Sequence, residues 1–125
     1  AKLKKEPNVE VLGTGKAVRE FLYVEDAADA IIIAADSYSE DMPLNVGTGV
    51  ETPIRDLAIL IKEISNYKGK IKWNRSGPEG ALRKVLDISR MKSNLNWKPK
   101  YNLRKGLEKT ISWFEDNYET AVAKE

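Results

Sequence analysis

The sequence predicts a small α/β or α+β domain, and three observations carry that expectation. Short apolar stretches of strand length alternate with longer runs at helical spacing along the chain. Glycine-centred turns and a few prolines separate them. The 125 residues, 42% hydrophobic and 32% charged, have the size and balance of one globular domain with a single core. No internal repeat or low-complexity tract interrupts the pattern.

The elements follow in order. Residues 1–6, "AKLKKE", read as helical, and Pro7 with Asn8 ends them, so the chain is expected to begin inside a helix with no N-cap before it. "VEVLG" (9–13) is a short strand running into the turn Gly13-Thr14-Gly15. "REFLYV" (19–24) is a second strand, and Asp26 is expected to open a helix reaching about Ser37. "PLNVG" (43–47) reads as a third strand with a second Gly-Thr-Gly turn behind it. Thr52 and Pro53 signal a helix start, a hydroxyl cap followed by proline at the first helical position. Ile54, Leu57, Ala58, Ile61 and Ile64 keep helical spacing from there towards Tyr67. "KIKW" (70–73) alternates as a half-exposed strand does. Residues 74–84, rich in glycine, proline and charge, form a loop. "VLD" (85–87) is a brief strand, and a short helix follows Asp87 or Ser89. Asn102 caps a last helix, on which Leu103, Leu107, Ile111 and Phe114 form one stripe with Leu107 expected in the core.

Composition narrows the chemistry. The chain has no cysteine, which removes disulfides, zinc–thiolate sites and thiol catalysis. It has no histidine, so the commonest general base and metal ligand are missing as well. Any chemistry done by these residues alone falls to carboxylates, lysines or tyrosines. The net charge of +2 does not call for nucleic acid, and interspersed acids argue against a basic binding module built on "KLKK" and Lys68, Lys70 and Lys72. The longest apolar stretch, Ala30 to Ala35, is far short of a membrane span, and no secretory leader opens the chain, so a cytoplasmic location is expected.

Four features have a functional reading beside a structural one. The glycine turns at 13–15 and 47–49 could each hold a phosphate on backbone N–H groups. Neither continues as G-x-G-x-x-G into a helix, so both are read as structural turns. Tyr101 and Lys105 have the Tyr-x-x-x-Lys spacing of a catalytic acid, but with Asn102 as cap Tyr101 lies outside the helix and the pair is a coincidence. Arg19, at the head of an apolar strand, fits a solvated edge residue and equally a guanidinium fork aimed at a phosphate. The loop 75–87, with Arg75, Glu79, Arg83, Lys84 and Asp87, fits a plain solvated loop or a site whose cations meet phosphates while Glu79 accepts sugar hydroxyls.

Three blocks in sequence, "GTGKAVREFLYVEDAADA", "LNVGTGVETPIRDLA" and "GPEGALRKVLDISRMKSNLNWKPKYNLRKGLEKTISWF", resemble the C-terminal half of extended short-chain dehydrogenases/reductases. These are the NAD(P)-dependent epimerases and dehydratases of nucleotide sugars. Within that family Pro78-Glu79-Gly80 followed by Arg83-Lys84-Val85-Leu86-Asp87 is most similar to the GDP-L-fucose synthases.

The resemblance implies that residues 1–125 are a nucleotide-sugar-binding domain, with GDP-sugars favoured, whose N-terminal Rossmann half and catalytic residues are not in this chain. It implies substrate contacts at Arg19 (the diphosphate), Lys84 (the nucleotide) and Glu79, with Arg83 beside them. Asp26 matches an aspartate that opens the following helix. Leu12 stands where the family carries a tryptophan beside the ligand, Glu79 is one methylene longer than the family's aspartate, and Ala81-Leu82 replaces a Thr-Pro pair. NADP or NAD is implied for a full-length, homodimeric parent, and no cofactor for this chain alone, which is expected to be inactive by itself. Two other readings stand beside this one: a non-catalytic binding or regulatory module on the same fold, or the same domain from a UDP- or dTDP-sugar enzyme.

Overall fold

The computed structural model describes residues 1–76 and 80–122. Its elements are β1 (Asn8–Leu12), β2 (Val18–Arg19), α1 (Val24–Ser37), β3 (Thr52–Pro53), α2 (Ile54–Ile64), β4 (Lys70–Asn74), β5 (Arg83–Lys84), α3 (Ser89–Asn94), α4 (Leu103–Asp116) and α5 (Tyr118–Val122). They make two small sheets. β1 pairs with β4 in parallel, and β2 lies between β3, antiparallel to it, and β5, parallel to it. The mixed α/β class expected from the sequence is the class observed.

The chain departs from the expected elements where long-range partners take over. Residues 1–6 form turns rather than helix: Lys5 N–H donates to Lys2 C=O, Glu6 N–H donates to Ala1 C=O, and Lys5 has φ 53°. That pair of bonds around a left-handed residue is the arrangement with which helices terminate. Of the strand expected over 19–24 only Arg19 is paired, with Val18 before it in β2, and Val24 already belongs to α1 with Tyr23 as its N-cap residue. Residues 43–47 and 85–87 lie outside any strand. Leu44 and Val46 are instead packed against Ile88, Met91 and Leu95, which form the buried core cluster with Ile33, Ala34, Tyr38 and Trp97 around it. Thr52 and Pro53 sit one position earlier than expected, paired with β2, so that α2 starts at Ile54 with Pro53 as its N-cap.

Other elements form for the reasons expected. Asn102 caps α4, its side-chain oxygen accepting from Lys105 N–H at 2.9 Å. In β4 the residues alternate in exposure over Lys70, Ile71 and Lys72. Helix α4 differs in how it packs. Its buried residue is Gly106, since a Cβ there would stand 3.1 Å from Tyr23 Cβ, and Leu107 is half-buried rather than in the core. Further along the same helix, Ile111 and Phe114 face Val9, Val11, Ile71, Ala58 and Ile61 across an open apolar cavity of about 540 Å³. Helix α1 leaves Val24, Ile31 and Ile32 largely exposed. Among the described residues no helix is long and apolar enough to cross a membrane.

Candidate functional site

The sheet β3–β2–β5 gathers the chemistry. Arg19 on β2 is the register partner of Lys84 on β5. Register partners on neighbouring strands lie about 4.8 Å apart and direct their side chains to one face. Two cations are therefore held side by side, an arrangement that repels itself unless an anion joins it. Among the described residues no carboxylate lies within 4.0 Å of either one. The Arg19 guanidinium is half-buried and fixed by a bond from Nη1 to Val18 C=O at 2.7 Å. Its Nη2 lies within 3.9 Å of where a Gly80 Cβ would stand, so the loop backbone passes close to the fork.

Arg83 has a different environment. Its Nε and Nη2 both donate to Glu51 Oε1, at 3.0 and 2.5 Å. Those bonds hold the Glu51 carboxyl below the usual carboxylate range and push the Arg83 guanidinium up. Arg83 is thus paired across the sheet, while Lys84 is exposed beside Arg19. Leu12 ends β1 on the other sheet and is 72% exposed. Glu79 lies outside the described residues.

Two carboxylates hold the backbone in shape, Glu20, which the sequence did not single out, and Asp26, which was expected to open α1. Glu20, next to Arg19, accepts from Gly49 N–H through Oε1 at 2.7 Å and from Leu86 N–H through Oε2 at 3.1 Å. Asp26 is fully buried, and rather than capping α1 it accepts from the N–H groups of Lys100 and Tyr101, at 2.9 and 3.0 Å. Glu20 lies just past the end of β2, and nothing in its sequence neighbourhood announces the partners at Gly49 and Leu86.

Both glycine turns are structural. A Cβ on Gly15 would stand 2.8 Å from the Trp73 ring, and Gly15 C=O accepts from Arg55 N–H, so that turn is packed against protein. The second turn spends Gly49 N–H on Glu20. Neither turn is therefore open as a phosphate cradle at the head of a helix. Tyr101 precedes the α4 cap and contacts Tyr23 edge-on at 4.8 Å, with Lys109 rather than Lys105 over its ring at 5.3 Å.

Residues 1–47 match the NAD dependent epimerase/dehydratase family. The chain is 44% identical over 94% of its length to GDP-L-fucose synthase 1 of Arabidopsis thaliana, and 39% identical over 89% of its length to GDP-L-fucose synthase of Escherichia coli. The chain is similar to members of the NAD-dependent epimerase/dehydratase family. It spans 36% and 37% of those two relatives. The fold is shared with family members of different substrate. A GDP-L-fucose synthetase from Naegleria fowleri, solved bound to NADP, superposes with TM-score 0.84 at 27% identity, covering 90% of this chain and 36% of that one. A UDP-glucose 4-epimerase from Thermotoga maritima, solved with UDP-glucose, gives TM-score 0.84 at 30% identity, covering 94% of this chain and 38% of that one.

Proposed function

We propose that this chain is the nucleotide-sugar-binding part of an NAD(P)-dependent sugar-nucleotide epimerase/reductase of GDP-L-fucose synthase type, and that it binds ligand without turning it over. The observation that carries the proposal is the Arg19–Lys84 register pair, two neighbouring cations with no carboxylate beside them among the described residues. A nucleoside diphosphate supplies the missing charge: the guanidinium fork meets phosphate oxygens in bidentate fashion and the ammonium adds a point charge. The sequence identity to two GDP-L-fucose synthases favours a GDP-sugar over a UDP-sugar. Turnover is assigned to a cofactor-binding half outside this chain, since the glycine turns here do not fit a dinucleotide and the sequence lacks histidine and cysteine. The share of its relatives that the chain spans supports that division, and so does the apolar surface left open on α1 and beside α4. The parent is read as a cytoplasmic homodimer using NADP or NAD.

Calorimetric titration of the chain with GDP, UDP and pyrophosphate tests the proposal. GDP is expected to bind, pyrophosphate to compete with it, and UDP to bind more weakly. Arg19→Ala is expected to lose about 1.5–3 kcal/mol of that affinity, the range for a charge-assisted hydrogen bond. Equal affinity of Arg19→Ala and wild type for GDP would remove the basis of the assignment.

A further inference from the structure

We infer that Glu20 is a positioning residue for the anion site: it never touches ligand, and it fixes Lys84 at the distance from Arg19 at which one diphosphate can bridge both. The inference rests on the proposed diphosphate site and adds what builds it. β5 has only Arg83 and Lys84, too short a strand to hold its own register by ladder bonds alone. The segment carrying Lys84 is instead pinned from outside. Before it, Val18 N–H donates to Leu82 C=O at 2.7 Å. After it, Leu86 N–H donates to Glu20 Oε2 at 3.1 Å. The other oxygen of the same carboxylate holds Gly49 N–H at 2.7 Å, with the Thr48 hydroxyl at 3.4 Å.

Glu20 therefore links three chain segments that are far apart in sequence, and it does so from the residue adjoining Arg19. A carboxylate at this place has a second consequence. Glu20 lies just past the end of β2, and its charge is spent on the Gly49 and Leu86 N–H groups and the Thr48 hydroxyl, with no ion pair to Arg19 or Lys84 among the described residues. The 47–49 turn is shaped to this purpose, since a Cβ on Gly47 would stand 2.1 Å from Glu20 Oε1. An amide in place of the carboxylate has one acceptor oxygen and sets an NH2 against the other N–H donor, so Glu20→Gln can keep one arm of the brace at most.

The experiment is a thermodynamic cycle on the 125-residue chain, read by GDP titration, with amide hydrogen exchange on the same samples. Glu20→Gln is expected to weaken GDP binding about tenfold, a loss of about 1.4 kcal/mol, and Glu20→Asp to restore part of it. In a Lys84→Ala background Glu20→Gln is expected to cost nothing further, because the residue it positions is gone. A purely structural role predicts the same loss in both backgrounds, and that result, or unchanged affinity of Glu20→Gln, overturns the inference. Exchange on the wild type needs neither variant nor ligand: the Leu86 amide is expected to be protected, and exchange at the unprotected rate overturns the inference even if Glu20→Gln does not fold. If wild type binds no GDP, the proposed site fails on its own. The brace is then decided by exchange alone, with protection of Leu86 lost in Glu20→Gln supporting it and protection retained overturning it.

Discussion

Asp26→Ala is expected to be among the most damaging single substitutions in the chain. The carboxylate is 0% exposed and lies in the first turn of α1, and its two oxygens take the N–H groups of Lys100 and Tyr101, 74 and 75 residues further on. Those bonds hold the segment that leads into α4, including the Tyr101 ring against Tyr23. Each hydrogen bond to a charged group contributes about 1.5–3 kcal/mol, so losing two and leaving their donors unpaired costs about 3–6 kcal/mol. Against a total stability of about 5–15 kcal/mol the variant is expected to be at the edge of unfolding. Asp26→Asn keeps one acceptor and should lose about half as much. Urea titration followed by fluorescence reads both. With a slope of about 1–3 kcal/mol per molar for a small protein, the alanine midpoint should fall by at least about 1 M and the asparagine midpoint by less. Equal midpoints for wild type and Asp26→Ala would refute the reasoning, because a buried carboxylate with two backbone donors cannot be removed without cost if those bonds exist in solution.

Other expectations follow from the same geometry. Met91→Ala, at 2% exposure in the core cluster, should cost about 2–5 kcal/mol by urea midpoint, while the half-buried Leu107→Ala should cost only about 1 kcal/mol. Gly47→Ala must displace the Glu20 carboxylate and should lose about 1–3 kcal/mol of stability together with GDP affinity. The Ser89 backbone N–H, followed by its hydroxyl, holds the Asp87 carboxyl below its ordinary range. A carboxylate depressed in the folded state stabilises it at pH values above the unfolded value of about 3.9, and that contribution fades as the pH falls through the folded one. The acid limb of a stability–pH profile should therefore be shallower in Asp87→Asn than in wild type.

What the sequence made legible was local, and what it hid was distant. Asn102 as a cap, the alternation of β4 and the start of α2 near Pro53 each depend on neighbours within a few residues, and each formed with at most a one-residue shift. The strand expected over 19–24 kept only Arg19, and the amide pair at 100–101 that Asp26 accepts from within α1 has no signature near Asp26. Residues 43–47 have a strand's composition, but Leu44 and Val46 are packed against α3 without a ladder partner. Of the candidate site, the sequence supplied Arg19 on a strand and the adjacent Arg83 and Lys84 in a loop as candidate substrate contacts. Their division into a pair facing one another and one residue paired to Glu51 came from register, which a two-residue strand does not announce. The positions of Leu12 on the other sheet and of Glu20 behind the site were likewise set by contacts across the fold.

The most direct test of the central claim is a map of where a nucleoside diphosphate binds. In a two-dimensional amide NMR titration of the labelled chain with GDP, the account predicts shifts concentrated at Val18–Glu20 and Gly80–Leu86, absent when Arg19 and Lys84 are both alanine. Shifts centred instead on the Gly13–Gly15 turn or on the apolar cavity beside Phe114, or unchanged in that double variant, would contradict it.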